Sequence, residues 1–327
     1  MNSLARQQFE SALRMVEAEQ ATVSEKAEML MEVAMGLQQK PKSSEDLANA
    51  VALYEKALEL LPETETLLRA RIQARMGTAL QSLPGSDTAP LHRAQAAFKA
   101  ALPVIEAQGS PAEQGEIWLN LGLVIQSLAA VGQAKITDAI KAYQRALRVF
   151  DAERYPAEYA ILHNNLATAF LSIPMTDTRA KMREALAVQS FEAALKVVNI
   201  IDHPAEYAML QNNLGNALQY ASSAHVLENN LRALQAYDEA LRVRNPRDTP
   251  LEYANTIANK ANALRNLPDD PEHPERGNQD NIRRALALYR EARDIFRRFG
   301  DQAKLELVEA ALTELERSRG NGRELDD

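Results

Sequence analysis

The sequence predicts an all-α chain, an α-solenoid of about six helix pairs with a capping helix at each end. Three observations carry that expectation. Apolar residues make up 46% of the chain and aromatics only 5%, with Ala and Leu dominant, a composition that packs helices closely. At 327 residues the chain is too long for one ordinary core unless a repeated unit lets the core grow in one dimension. Such a unit is present: PAEQGEIWLNLGLVI from Pro111, PAEYAILHNNLATAF from Pro156, PAEYAMLQNNLGNAL from Pro204 and PLEYANTIANKANAL from Pro250 are one segment written four times.

Along the chain, residues 1–20 read as an N-terminal capping helix, with Leu4, Phe9, Leu13 and Val16 on one face. The repeat array follows over residues 21–300. Each copy of the segment opens a helix, A: Pro occupies the first turn, where its missing N–H costs nothing, and Glu two residues on suits the positive end of the helix dipole. Degenerate copies start at Ser24 and Thr64. A second helix, B, then carries Ala, an aromatic four residues later and Ala three further: Ala50, Tyr54, Ala57; Ala94, Phe98, Ala101; Ala139, Tyr143, Ala146; Ala187, Phe191, Ala194; Ala233, Tyr237, Ala240; and Ala285, Tyr289, Ala292. These offsets place the residues on one stripe. The spacing from the last helix B Ala to the next helix A small residue, read as Gly77, Gly122, Ala167, Gly215 and Asn262, is nearly constant. Length therefore varies in the A-to-B turns, such as those from Ser172 and Asn266. Leu305, Val308, Leu312 and Leu315 give residues 301–318 a C-terminal capping helix, and residues 319–327 read as a disordered tail.

Several chemistries are excluded or disfavoured. With no cysteine there is no disulfide, thiolate metal site or thiol nucleophile. The five histidines show no metal-ligand spacing, and no phosphate loop, nucleophile elbow or dinucleotide fingerprint occurs, so no cofactor and no metal is expected. Asp269, Asp270 and Glu272 read as a polar loop rather than a cation site, since Gly277 falls too late for a Ca²⁺ loop. No leader and no membrane-spanning apolar run is seen, which makes the cytoplasm the expected location and leaves no membrane role. A net charge of -8 opposes nucleic acid, although Arg283, Arg284, Arg290, Arg293, Arg297 and Arg298 form a local basic stretch, read as a solvated helix face.

Trp118, Leu121 and Gly122 on helix A, followed by Ala139, Tyr143 and Ala146 on helix B, resemble the tetratricopeptide repeat (TPR) family over roughly residues 22–298. The Asn-Asn-Leu strings at Asn164 and Asn212 look most like its long-period variety, as in kinesin light chains and the arrays attached to bacterial caspase-like (CHAT) domains. The resemblance implies a right-handed solenoid and a non-catalytic module that binds another protein or peptide in its concave groove, as an adaptor, a scaffold or a chaperone-like assembly factor. It also implies the groove stripe, counted from the helix A small residue: Asn164 and Thr168; Asn212, Asn216 and Gln219; Asn259 and Asn266; with Leu119, Leu123 and Gln126 as an apolar pocket in the third repeat. Asn120, Asn165 and Asn213 form an adjoining column. A primary amide donates and accepts, so such a column suits peptide backbone; the adjoining column equally suits bonds to a neighbouring helix. Two alternatives stay open: an enzyme with a site split across repeats near His163, and nucleic-acid binding by the Arg-rich helix. A homo-oligomer is also left open.

Overall fold

The computed structural model describes residues 10, 11, 13, 14, 16, 18–39, 41, 44–173, 179–221 and 225–323. Among them are thirteen α-helices, one 3-10 turn at Pro274–Arg276 and no strand. The helices alternate as expected. Helix A of the six repeats is α1 (Val23–Gln39), α3 (Thr66–Gln81), α5 (Pro111–Ala130), α7 (Pro156–Leu171), α9 (Pro204–Gln219) and α11 (Pro250–Arg265). Helix B is α2 (Ser44–Leu60), α4 (Ala89–Gln108), α6 (Ile136–Ala146), α8 (Ala180–Leu195), α10 (Val226–Leu241) and α12 (Gln279–Phe299), and α13 (Gln302–Arg323) closes the series. The chain divides into two compact units, Met1–Tyr155 with three pairs and Pro156–Asp327 with three pairs and α13. In each unit every A helix packs on its own B helix and on the A helix of the adjacent repeat.

One rule fixes the register of all six A helices. The residue eleven after the helix start is small and fully or almost fully buried: Ala34, Gly77, Gly122, Ala167, Gly215 and Ala261. Opposite it lies the helix B aromatic, Tyr54, Phe98, Tyr143, Phe191, Tyr237 or Tyr289, each no more than 1% exposed. The approach is close. A Cβ on Gly77 would come within 2.8 Å of the Phe98 ring, and one on Gly215 within 2.5 Å of Tyr237. In the sixth repeat the small residue is thus Ala261, which corrects the reading of Asn262; the two adjoin in Lys-Ala-Asn-Ala, where spacing alone does not separate them.

The buried phenols find partners on helix A. Tyr54 donates to Gln38 Oε1 at 2.9 Å, Tyr143 to Gln126 Oε1 at 2.6 Å, Tyr237 to Asn216 Oδ1 at 2.7 Å and Gln219 Oε1 at 3.0 Å, and Tyr289 to Asn262 Oδ1. Burial pushes the Tyr54, Tyr143 and Tyr237 hydroxyls above the usual phenol range, so each stays protonated and able to donate. Where the aromatic is Phe98 there is no hydroxyl, and Gln81 Oε1, in the place of Gln126 and Gln219, is buried without a partner.

Of the N-terminal cap residues, Leu4 and Phe9 lie outside the described residues, and Val16 is buried. At the other end Leu305, Val308, Leu312 and Leu315 are buried against the last repeat. The helix there runs to Arg323, past the expected boundary at 318, so residues 319–323 of the expected tail are helical and 324–327 lie outside the description. The turn from Ser172 is described only in part, residues 174–178 lying outside. In the turn from Asn266, Asp269 accepts from the backbone N–H of Asp280 at 2.9 Å and of Asn281 at 2.7 Å at the start of α12. That carboxylate organises the loop, and no group of three potential metal ligands occurs among the described residues.

Candidate functional site

In the second unit the asparagines expected in the groove bond to one another. Asn259 Nδ2 donates to Asn212 Oδ1 at 3.2 Å, Asn212 Nδ2 to Asn213 Oδ1 at 3.3 Å, Asn213 Nδ2 to Asn164 Oδ1 at 2.9 Å and Asn164 Nδ2 to Asn165 Oδ1 at 3.3 Å. The amides thus run as a chain across α11, α9 and α7, ending on Asn165, whose buried Nδ2 has no partner. Asn212 at its centre is 3% exposed, whereas Asn164 and Asn259 are half-buried: the A helices approach so closely there that the amides bond to each other. Asn259 stands two residues before Ala261 and so belongs to the column of Asn120, Asn165 and Asn213.

The remaining expected groove residues are also engaged or peripheral. Asn216, Gln219 and Gln126 hold the helix B tyrosines as given above. Thr168 Oγ1 donates to Asn165 O at 2.9 Å, and exposed Asn266 donates to Asn262 O at 3.0 Å, each within its own helix. Leu119, Leu123 and Asn120 are half-buried on α5.

An open groove lies instead across the A helices of the first unit, where a cavity of about 500 Å³ is lined by α1, α3 and α5. Its lining follows the helix A offsets. Met31 and Ala74 stand three residues before the small residue, Glu32, Arg75 and Asn120 two before it, Met35 and Thr78 one after it, and Arg71 and Glu116 six before it. Phe98, Ile105 and Ile117 add apolar surface. Of the expected site residues only Asn120 contributes. Sequence reasoning passed over the rest because the first two repeats lack the Pro-Ala-Glu-Tyr opening, yet the same offsets counted from Ala34 and Gly77 mark them.

Charge in this groove is partly spent. Arg71 Nε meets Glu113 Oε1 at 2.7 Å, joining α3 to α5, and Glu113 also closes the capping box of α5, accepting from Ser110 N at 2.7 Å while Ser110 Oγ accepts from Glu113 N at 3.2 Å. The Arg71 hydrogen bond, with the Ser110 bonds, pulls the Glu113 carboxyl from 4.5 to about 2. Arg75, Glu32 and Glu116 are exposed and make no ion pair with any described residue. Because the folded value of Glu113 is depressed, its stabilisation is present above 4.5 and is lost as the pH falls towards 2. Glu113→Gln is therefore expected to lower stability by about 1 kcal/mol at neutral pH. Urea denaturation at a series of pH values should show the difference from wild type shrinking between pH 4.5 and 2; a constant difference contradicts the assignment.

The rival sites are less developed. His163 packs against Tyr159 with ring centroids 4.3 Å apart and the rings tilted by 48°, burial lowers its pKa, and its Nδ1 has no partner. The arginines of α12 largely face carboxylates: Arg290 pairs with Glu316 at 2.8 Å, Arg293 with Asp294 at 2.8 Å, Arg297 with Glu309 at 2.8 Å, and Arg283 with Asp280. No described helix is long and apolar enough to cross a membrane.

The alternating helix pairs, each with a small residue facing a buried aromatic, define a TPR-like helical-repeat protein. One solved structure agrees with that fold, and two more are similar in part. BtubC (BKLC) from P. vanneervenii aligns over 75% of this chain and 93% of its own at 20% identity, with a TM-score of 0.51. MamA aligns over 67% of this chain and 96% of its own at 14% identity, with a TM-score of 0.44. YrrB, described as a TPR protein with an unusual peptide-binding site, aligns over 73% and 93% at 20% identity, with a TM-score of 0.41. No family model and no curated protein matches the chain.

Proposed function

We propose that this chain is a non-catalytic protein-interaction module, an adaptor, scaffold or assembly factor of the cytoplasm, and that it holds a segment of a partner protein in the groove of α1, α3 and α5. The observation that carries the reading is the cavity of about 500 Å³ lined at the same helix offsets by three successive A helices. Met31, Met35, Ile117 and Ile105 offer an adaptable apolar floor, since thioethers repack around varied side chains. Arg75 and the carboxylates Glu32 and Glu116 line the same cavity and offer charges of both signs that the fold leaves without ion pairs. A segment with one apolar anchor and flanking charged residues fits this lining. The amide chain of the second unit then serves to hold neighbouring repeats in place.

The test is capture of the partner from the protein's own host. Met35→Asp with Arg75→Glu should remove the co-eluting protein while leaving the melting temperature within about 2 °C of wild type, since substitutions on an open surface cost little. Undiminished capture of the same protein defeats the groove reading.

A further inference from the structure

In the first unit a second cavity, about 600 Å³, is lined by the B helices α4 and α6 together with Trp118 from α5. Its composition is unlike that of the chain. The protein as a whole carries a net charge of -8, but this rim gathers Lys99 from α4 with Lys135, Lys141 and Arg145 from the neighbourhood of α6, against the single acid Asp138. Asp138 is already held by Lys141 at 3.0 Å. Lys99, Lys135 and Arg145 make no ion pair with any described residue, so three cationic groups remain uncompensated around one cavity.

Arg145 is the best-placed of them. Its guanidinium lies over the Trp118 ring with Cζ 4.3 Å from the centroid. A guanidinium held over an indole face keeps its N–H groups available, and these can receive a carboxylate through two parallel hydrogen bonds. Gln95 and Gln133 line the same cavity and can bond to peptide N–H and C=O.

We propose that this Trp118–Arg145 cavity is a second docking site, which takes an acidic segment of a partner protein through its Asp and Glu carboxylates. The charges are distributed along two helices rather than converging on one point, which suits successive carboxylates on a chain better than a single small anion. A long polyanion such as RNA extends beyond the cavity over a surface whose net charge repels it. The site is separate from the groove of α1, α3 and α5, so either can fail without the other.

Trp118 is the single tryptophan of the chain, so intrinsic tryptophan fluorescence reports this cavity alone. Titration of the intact protein with an octaglutamate peptide should give a saturable change in Trp118 emission that weakens steeply as salt is added. Octalysine should give none. Lys99→Gln with Lys135→Gln, both exposed, should weaken octaglutamate binding at least about tenfold without moving the melting temperature, since each removes an ion pair made only in the complex. The proposal is overturned if octaglutamate produces no saturable change and no heat in calorimetry, or if the double variant binds it as tightly as wild type does. It is equally overturned if inorganic phosphate binds as well as the peptide, which makes the cavity a simple anion site, or if a single-stranded oligouridylate binds more tightly, which makes it a nucleic-acid site.

Discussion

Tyr237→Ala is expected to lower the unfolding free energy of the second unit by about 4 kcal/mol, the range found when a fully buried aromatic is cut back to a methyl group. Its ring is completely buried against Gly215, and its hydroxyl holds Asn216 and Gln219 of α9. The substitution leaves both a cavity and two amide oxygens without their donor. Tyr237→Phe separates these effects, since it keeps the ring and removes only the donor, at a cost of about 1 kcal/mol. Tyr207→Ala provides the contrast. That residue is half-buried in the first turn of α9 and donates to Glu239 at 2.8 Å, so its loss should cost about 1 kcal/mol. Urea denaturation, with amide hydrogen exchange read in α9 and α10, measures all three. A loss at Tyr207 equal to that at Tyr237 means the first turn of α9 belongs to the core.

Asn212→Ala should cost about 2 kcal/mol, a large effect for a polar side chain. Asn212 is almost fully buried, accepts from Asn259 and donates to Asn213, so its removal leaves a donor on one helix and an acceptor on its own without partners. Asn266→Ala, on the exposed end of the same series of repeats, removes only a bond to its own helix and should cost less than about 0.5 kcal/mol. Thermal denaturation decides between them. If Asn212→Ala melts with wild type, the amide chain contributes nothing and the asparagines are free to take a ligand.

The helix pairs were legible because Pro156, Pro204 and Pro250 mark helix starts and the helix B aromatics recur on one stripe. Periodicity within a helix names the face on which Asn212 lies, but not whether that face meets solvent or another helix's amide. The distance between α9 and α11 is set by packing and leaves no trace in either helix alone. The Gln at the fourth position after Ala34, Gly122 and Gly215 was a readable signal, since each pairs with a tyrosine on helix B. The groove of the first unit was hidden by motif degeneracy rather than by physics. Met31, Arg75 and Thr78 occupy ordinary groove offsets in repeats whose opening residues had drifted.

The most direct measurement is photocrosslinking from a diazirine amino acid placed at Thr78, in the floor of the groove, in the protein expressed in its own host. Thr78 is half-buried among α1, α3 and α5, whereas Leu307 on α13 is 71% exposed and lies far along the chain in the second unit. A partner protein should be joined at Thr78 and not at Leu307. Crosslinking of that partner at Leu307 with none at Thr78 contradicts the groove as the binding site.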